Sequence, residues 1–247
     1  MSRTAWRLVG LGAAAFVVAV IMTLPARVAW SWVAPEGVAL HNSSGSVWNG
    51  RADGVSVSGV PLGAPAWDAS LLSLFTGRAA WDISLDRPDG FLNGRVAVPL
   101  TGSAVEFRDT EGALPLRAVQ DLFPIRPRDS AITLRVDRLR LEDGWPVILQ
   151  GTISVTELPV RGIEVPLGPF QADFPDAGDG PPVGILSSVG GPLDIDGRLE
   201  LAADRTWLIE GTAAPGSEAP SSLSRGLNAL GPADGAGRRP FSLSGSF

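Results

Sequence analysis

The stretch that decides the fold is "SSGSVWNGRADGVSVSG", residues 43–59. A tryptophan stands between a serine-rich run and an Asn-Gly pair, and apolar and small polar residues alternate directly after it. Gly at that position permits positive φ for a turn or bulge, or the close approach of another strand. Alternation with period two sends every second side chain to one face of an extended strand. The stretch therefore reads as a sheet turning a corner and starting again, in preference to a reactive loop.

Outward from this corner the alternation recurs in "WDISLD" (81–86), "RVAV" (95–98), "ITLRV" (132–136), "TISVT" (152–156), "LDID" (193–196), "RLEL" (198–201) and "FSLSGSF" (241–247). Within "ITLRVDRLRLE" (132–142), Ile132, Leu134 and Val136 share one parity, while Leu139 and Leu141 take the other. A strand changes its buried face only by inserting a residue, so the spacing predicts a β-bulge near Asp137–Arg138. A second pattern, apolar–polar–Gly, echoes through "VWNGR" (47–51), "FLNGR" (91–95), "ILQGT" (148–152), "DIDGR" (194–198), "LIEGT" (208–212) and "SLSGS" (242–246). It is predicted to be a strand-starting device, with Gly allowing positive φ or the close passage of another strand. "WDASL" (67–71) and "WDISL" (81–85) echo each other across a turn at Gly77. Trp67 and Trp81 are thus predicted to occupy equivalent places on neighbouring strands as a cross-strand core pair.

The 30 Gly and 21 Pro fall mainly between these runs, as turn formers do. The fold class that follows is mainly β: one N-terminal transmembrane helix, then a curved antiparallel meander with few short helices and a single buried face. Helical turns are predicted within 70–75, 114–124 and 221–231. In the last, Leu223, Leu227 and Leu230 share a face, serines cap the start and Gly231 stops it. Residues 174–184 read as a loop.

Leu8 to Leu24 is a run of seventeen residues without a charge. At about 1.5 Å per residue it approaches the thickness of a hydrocarbon core. Arg3 and Arg7 precede it and Arg27 follows, while Trp6, Trp30 and Trp32 stand at its two ends like aromatic belts. This charge bias expects a cytoplasmic N-terminus and a body beyond the membrane. A cleaved leader fits less well, since cleavage after Ala26 or Ala29 places Leu24 or Arg27 at −3. The chain divides into a stub and anchor (1–35), a β-sheet domain (36–210), a Pro/Gly/Ala/Ser-rich excursion with a short helix (211–240) and a terminal strand (241–247).

Composition narrows the chemistry. A formal net charge of −6 lacks the basic face that nucleic-acid binding needs. All twenty basic residues are Arg, there is no Cys or Tyr, and His41 is the single histidine. Lysine Schiff bases, thiolate catalysis and Cys-ligated metals are thereby excluded. His41 neighbours Ser43 and Ser44, but "GVSVSG" (54–59) lacks the spacing of a nucleophile elbow. "DIDGRLE" (194–200) lacks the later ligands of a calcium loop, and Asp176 and Asp179 offer at most a weak one. No phosphate-binding or dinucleotide fingerprint occurs. The expectation is a non-enzyme without cofactor or metal.

The order of one hydrophobic helix, "GSVWNGRA" (45–52), "WDASLL" (67–72), "GRAAWDISL" (77–85) and alternating strands to the end resembles protein N of the type II, or general, secretion pathway. That family carries a G-T-x-W-x-G block and a W-x-x-x-x-x-L-x-x-G block; Ser46 stands here where Thr is more usual. The resemblance is clear over about residues 20–100. It implies an inner-membrane protein with a periplasmic β-domain, accessory to the export of folded proteins, whose partners are other inner-membrane secretion subunits. The family also looks similar to curved β-sheet proteins that handle lipid across the envelope, so an apolar groove for lipid is the alternative. The structural or partner-contact motif is Gly45, Trp48, Asn49, Gly50, Trp67 and Trp81. Trp48 on its turn reads either as a partner-binding residue or as a tryptophan packed on the sheet at a Gly-assisted bend.

Overall fold

A chain that alternates in period two along most of its length has one route to satisfying its backbone, which is to pair each run with the next. The computed structural model describes residues 12, 16, 19–34, 37–57, 59–102, 104–115, 130–158, 165–178 and 180–246. Among these, fifteen strands form one antiparallel sheet: β1 (Val38–His41), β2 (Ser44–Gly45), β3 (Asn49–Arg51), β4 (Gly54–Val57), β5 (Val60–Ser70), β6 (Arg78–Arg87), β7 (Gly90–Pro99), β8 (Val105–Pro115), β9 (Ala131–Glu142), β10 (Trp145–Val155), β11 (Phe170–Phe174), β12 (Val183–Ser188), β13 (Leu193–Leu201), β14 (Thr206–Pro215) and β15 (Arg239–Ser246). From β4 to β15 each strand pairs with its successor, which is the expected meander. The long β5 divides its outer edge, pairing first with β4 and then with β3 of the β2–β3 hairpin.

Register shows why the sheet has one greasy side. Trp67 and Trp81 lie on the same face as Val96, Phe107, Leu139 and Leu149 of the following strands. The bulge stands where the parity switch placed it: Val136 pairs with Gly151 and Arg138 with Gln150, leaving Asp137 as the extra residue. Ile132 and Leu141 thereby share the apolar face despite opposite parity. A matching bulge in β8 places Asp109 at φ 47° between Arg108, opposite Arg95, and Glu111, opposite Asn93. Bulges bend and twist the strands that carry them.

The glycine echo turns out differently from its reading as a strand start. Gly50, Gly94, Gly151, Gly197, Gly211 and Gly245 all fall within strands, and Gly151 alone of the six takes positive φ. Their common role is close approach. Gly50 pairs with Trp67 and Gly245 with Trp207, and a Cβ on either glycine would sit 2.5 or 2.6 Å from the partner's indole ring.

Among the described residues, short helices are few. Leu71–Thr76 is a 3-10 turn, as the 70–75 segment suggested. Helix α1 (Ala26–Val33) follows Pro25, and α2 (Ser221–Leu227) runs into a 3-10 turn that ends at Gly231. Leu223 and Leu227 are buried against Leu167, Leu193 and Ala213, but Leu230 is exposed and no serine side chain caps the start. This small cluster lies at the β13–β14 end of the apolar face. The first residues of the 211–240 segment complete β14.

The helical reading of 114–124 falls almost wholly outside the described residues, as does most of the Leu8–Leu24 run. Gly12, Phe16 and residues 19–22 are helical, with Phe16 70 % exposed and Val20, Ile21 and Met22 also exposed. Among the described residues no helix is long and apolar enough to cross a membrane.

Candidate functional site: a tryptophan joint and a charged strip

The serine-glycine run that opens the decisive stretch builds a joint. Gly45 takes φ +90°, where a Cβ would lie 2.5 Å from the Asn49 carbonyl oxygen. The chain can therefore fold back tightly enough for Ser44 to pair with Arg51. The Ser46 hydroxyl accepts hydrogen bonds from the backbone N–H groups of Trp48 and Asn49, both at 3.2 Å, closing the turn from within. A threonine supplies the same oxygen, which explains why Ser46 serves at that position.

Three indoles then fix the turn in space. Trp67 on β5 donates its Nε1–H to the Ser46 carbonyl at 3.0 Å, and Trp81 on β6 donates to the Val47 carbonyl at 3.0 Å. Trp48 donates in the other direction, to the Ile21 carbonyl at 2.8 Å. The Val47 N–H reaches the Leu24 carbonyl at 3.0 Å, and Pro25 forms a β-bridge with Ser46. Residues 46–48 are thus pinned by two tryptophans of the sheet and themselves hold residues 21–25. Trp67 and Trp81 share a face diagonally, opposite Ile83 and Ala69 respectively. A half-buried indole of this kind spends its area on packing and its N–H on a backbone carbonyl.

Gly45, Asn49, Gly50 and Trp67 also line an open groove of about 770 Å³, together with Asp68, Asp82, Asn93, Arg95 and Asp109. Trp48 and Trp81 are not among its lining residues. The groove opens mainly on the polar side of the sheet, where Asn49 hydrogen-bonds the Asp68 carboxylate.

Beyond the groove the polar face becomes cationic. Glu106, 7 % exposed, receives Arg108 at 2.9 Å, Arg138 at 2.7 Å and Arg78 at 3.3 Å. Burial pushes the Glu106 carboxyl up, but the hydrogen bonds and positive charge of Arg108 and Arg138 outweigh it and hold the group below its ordinary range. Arg95 pairs with Asp82 at 2.9 Å and Arg140 with Glu142 at 2.7 Å. Across the sheet, Arg238 binds Asp194 at 2.7 Å, Asp196 at 2.8 Å and the Thr212 hydroxyl at 2.8 Å, tying the final loop to β13 and β14. Hydrogen bonds from Ser188 and Arg238 hold the Asp194 carboxyl below its usual range.

Sequence reading singled out the glycines and tryptophans of the joint, whose types are unusual and whose short motifs recur. It missed Ser46 as the turn's own acceptor and the whole of the arginine cluster. The cluster's members lie on different strands and become neighbours only through register.

The comparisons with known proteins point to one family. A family model described as type II secretion system (T2SS), protein N, matches residues 36–242. The protein named type II secretion system protein N from Aeromonas hydrophila is 30 % identical over 219 residues, covering 85 % of each chain. Its namesake from Vibrio cholerae serotype O1 is 27 % identical over 259 aligned residues, covering 98 % of this chain and 99 % of that one. No solved structure matches. With the model spanning the sheet from its first strand to its last, the chain belongs to the protein N family of the type II secretion system.

Proposed function

We propose that this protein is a non-enzymatic inner-membrane component of the type II secretion apparatus, with its N-terminus cytoplasmic and its β-domain presented in the periplasm for contact with other subunits. The observation that carries the reading is the tryptophan joint. A sheet held by hydrogen bonds to Ile21 and Leu24 is fixed in attitude relative to the segment that the hydropathy marks as the anchor. A rigid link of this kind suits a domain that must meet partners at a set height above a bilayer. The exposed apolar side chains of Phe16, Val20, Ile21 and Met22 suit a lipid environment for that segment. The family membership supplies the apparatus.

The test is secretion by a strain lacking this protein. Exoproteins should accumulate in the periplasm and be released again on complementation. Normal secretion in the deletion strain defeats the reading. Labelling of single cysteines, introduced at Ser2 and at exposed Ser244 of this Cys-free chain, should find only the second accessible from the periplasmic side of spheroplasts.

One observation favours a second reading, a lipid-binding groove. The apolar face extends from Trp67 to Phe241, broken only by small polar side chains such as Thr110 and Ser188, and the described helices that lie on it are short. Such a face suits acyl chains. Phospholipid co-purifying in stoichiometric amounts, measured by mass spectrometry, supports this reading, and its absence removes it.

A further inference from the structure

One line of side chains crosses the polar face in register on seven adjacent strands: Asn49, Asp68, Asp82, Arg95, Arg108, Arg138 and Gln150. Like charges stand directly opposite each other inside it, Asp68 with Asp82 and then the three arginines in succession. Direct cross-strand neighbours of like sign destabilise a sheet, so internal pairing alone is a poor account of the order. Arg78 and Arg140 flank the basic end, giving, among the described residues, five arginines against the three carboxylates that pair with them, on a chain whose formal net charge is −6.

The basic end is also pre-set. Glu106 grips Arg78, Arg108 and Arg138 from below, while the guanidinium-bearing side chains stay 48 %, 44 % and 38 % exposed. Each guanidinium has five N–H donors and spends only one or two on these carboxylates. With neighbouring strands about 4.8 Å apart, Arg95 and Arg138 hold their outward donors across roughly 10 Å. Guanidiniums fixed in this way lose little side-chain freedom on meeting further carboxylates.

We infer that this strip is a docking surface for an acidic segment of another protein subunit, whose carboxylates lie over Arg95, Arg108 and Arg138. The inference rests on the assembly reading and names the chemistry of one contact within it. The strip is bipolar, with Asp68 and Asp82 beside the arginines. A uniformly anionic membrane surface is repelled by one end, whereas a protein segment with a basic residue preceding its carboxylates satisfies both. The strip also lies on the face away from the apolar side chains.

The test uses the full chain in detergent, titrated with fluorescein-labelled hexaglutamate at low and at high ionic strength. Saturable binding that falls with salt is expected, weakened about tenfold or more in R95E/R108E. The milder R78Q/R95Q leaves Arg108 and Arg138 on Glu106, should keep the β signal and a cooperative melt in circular dichroism, and should still weaken binding. R225E, on α2, should leave it unchanged. Equal binding by wild type and both strip variants overturns the proposal. So does strip-dependent binding of phosphatidylglycerol vesicles without binding of the peptide. In cells, a deletion strain whose secretion is fully restored by R95E/R108E defeats the strip and leaves the assembly reading standing. A deletion that leaves secretion intact defeats the assembly reading itself.

Discussion

At the scale of single residues, the joint depends on geometry that few substitutions keep. Ser46→Ala removes the acceptor for two backbone N–H groups and should cost about 1–2 kcal/mol in denaturant unfolding, whereas Ser46→Thr should be near neutral. Gly50→Ala drives a methyl group into the Trp67 ring and against the Ser44 carbonyl, 2.5 and 2.6 Å away. That overpacking should cost about 1–3 kcal/mol. Glu106 offers a pH test. Its carboxyl is held low in the folded protein, so its stabilisation is complete above the ordinary carboxylate range and is lost as pH falls through the depressed value. Glu106→Gln should remove that acid-sensitive portion and flatten melting temperature against pH between neutral and strongly acidic solution. Because the three arginines are 38–48 % exposed and well screened, the loss at neutral pH should be modest, about 1–2 kcal/mol.

At the scale of elements, the β9 bulge is the clearest case of a feature legible in the residues alone. Five aliphatic residues of mixed parity demanded one inserted residue, and Asp137 is it. Deleting Asp137 should turn Leu139 and Leu141 to the polar face. At about 1.5–3 kcal/mol per leucine this consumes much of a typical domain's stability, and loss of the cooperative melt by circular dichroism is the expected result. Strands β5, β8 and β12 were less legible because proline, glycine and charge interrupt their alternation. The α2 helix was legible from its leucine spacing, but its depth was not: Leu223 and Leu227 are buried, while Leu230 lies past the end of the helix. Leu227→Ala should cost about 2–4 kcal/mol by leaving a cavity against Leu193 and Ala213.

At the scale of the whole molecule, the joint couples the N-terminal segment to the sheet. Removing residues 1–35 takes away the partners of Trp48, Val47 and Ser46 and should lower the melting temperature while leaving the β signal in circular dichroism intact. The antiparallel meander, the apolar face, the β9 bulge and the place of Trp67 and Trp81 on one face of neighbouring strands were all set by sequence, because period-two alternation is a local signal. Tertiary structure alone decided which carbonyls the indoles reach, that five of the six echo glycines permit close passage without positive φ, and that Arg95, Arg108 and Arg138 form one line. The physical reason is the same each time. Cross-strand neighbours are set by register, which each loop length and each bulge shifts, and no single run of residues carries the sum of those shifts.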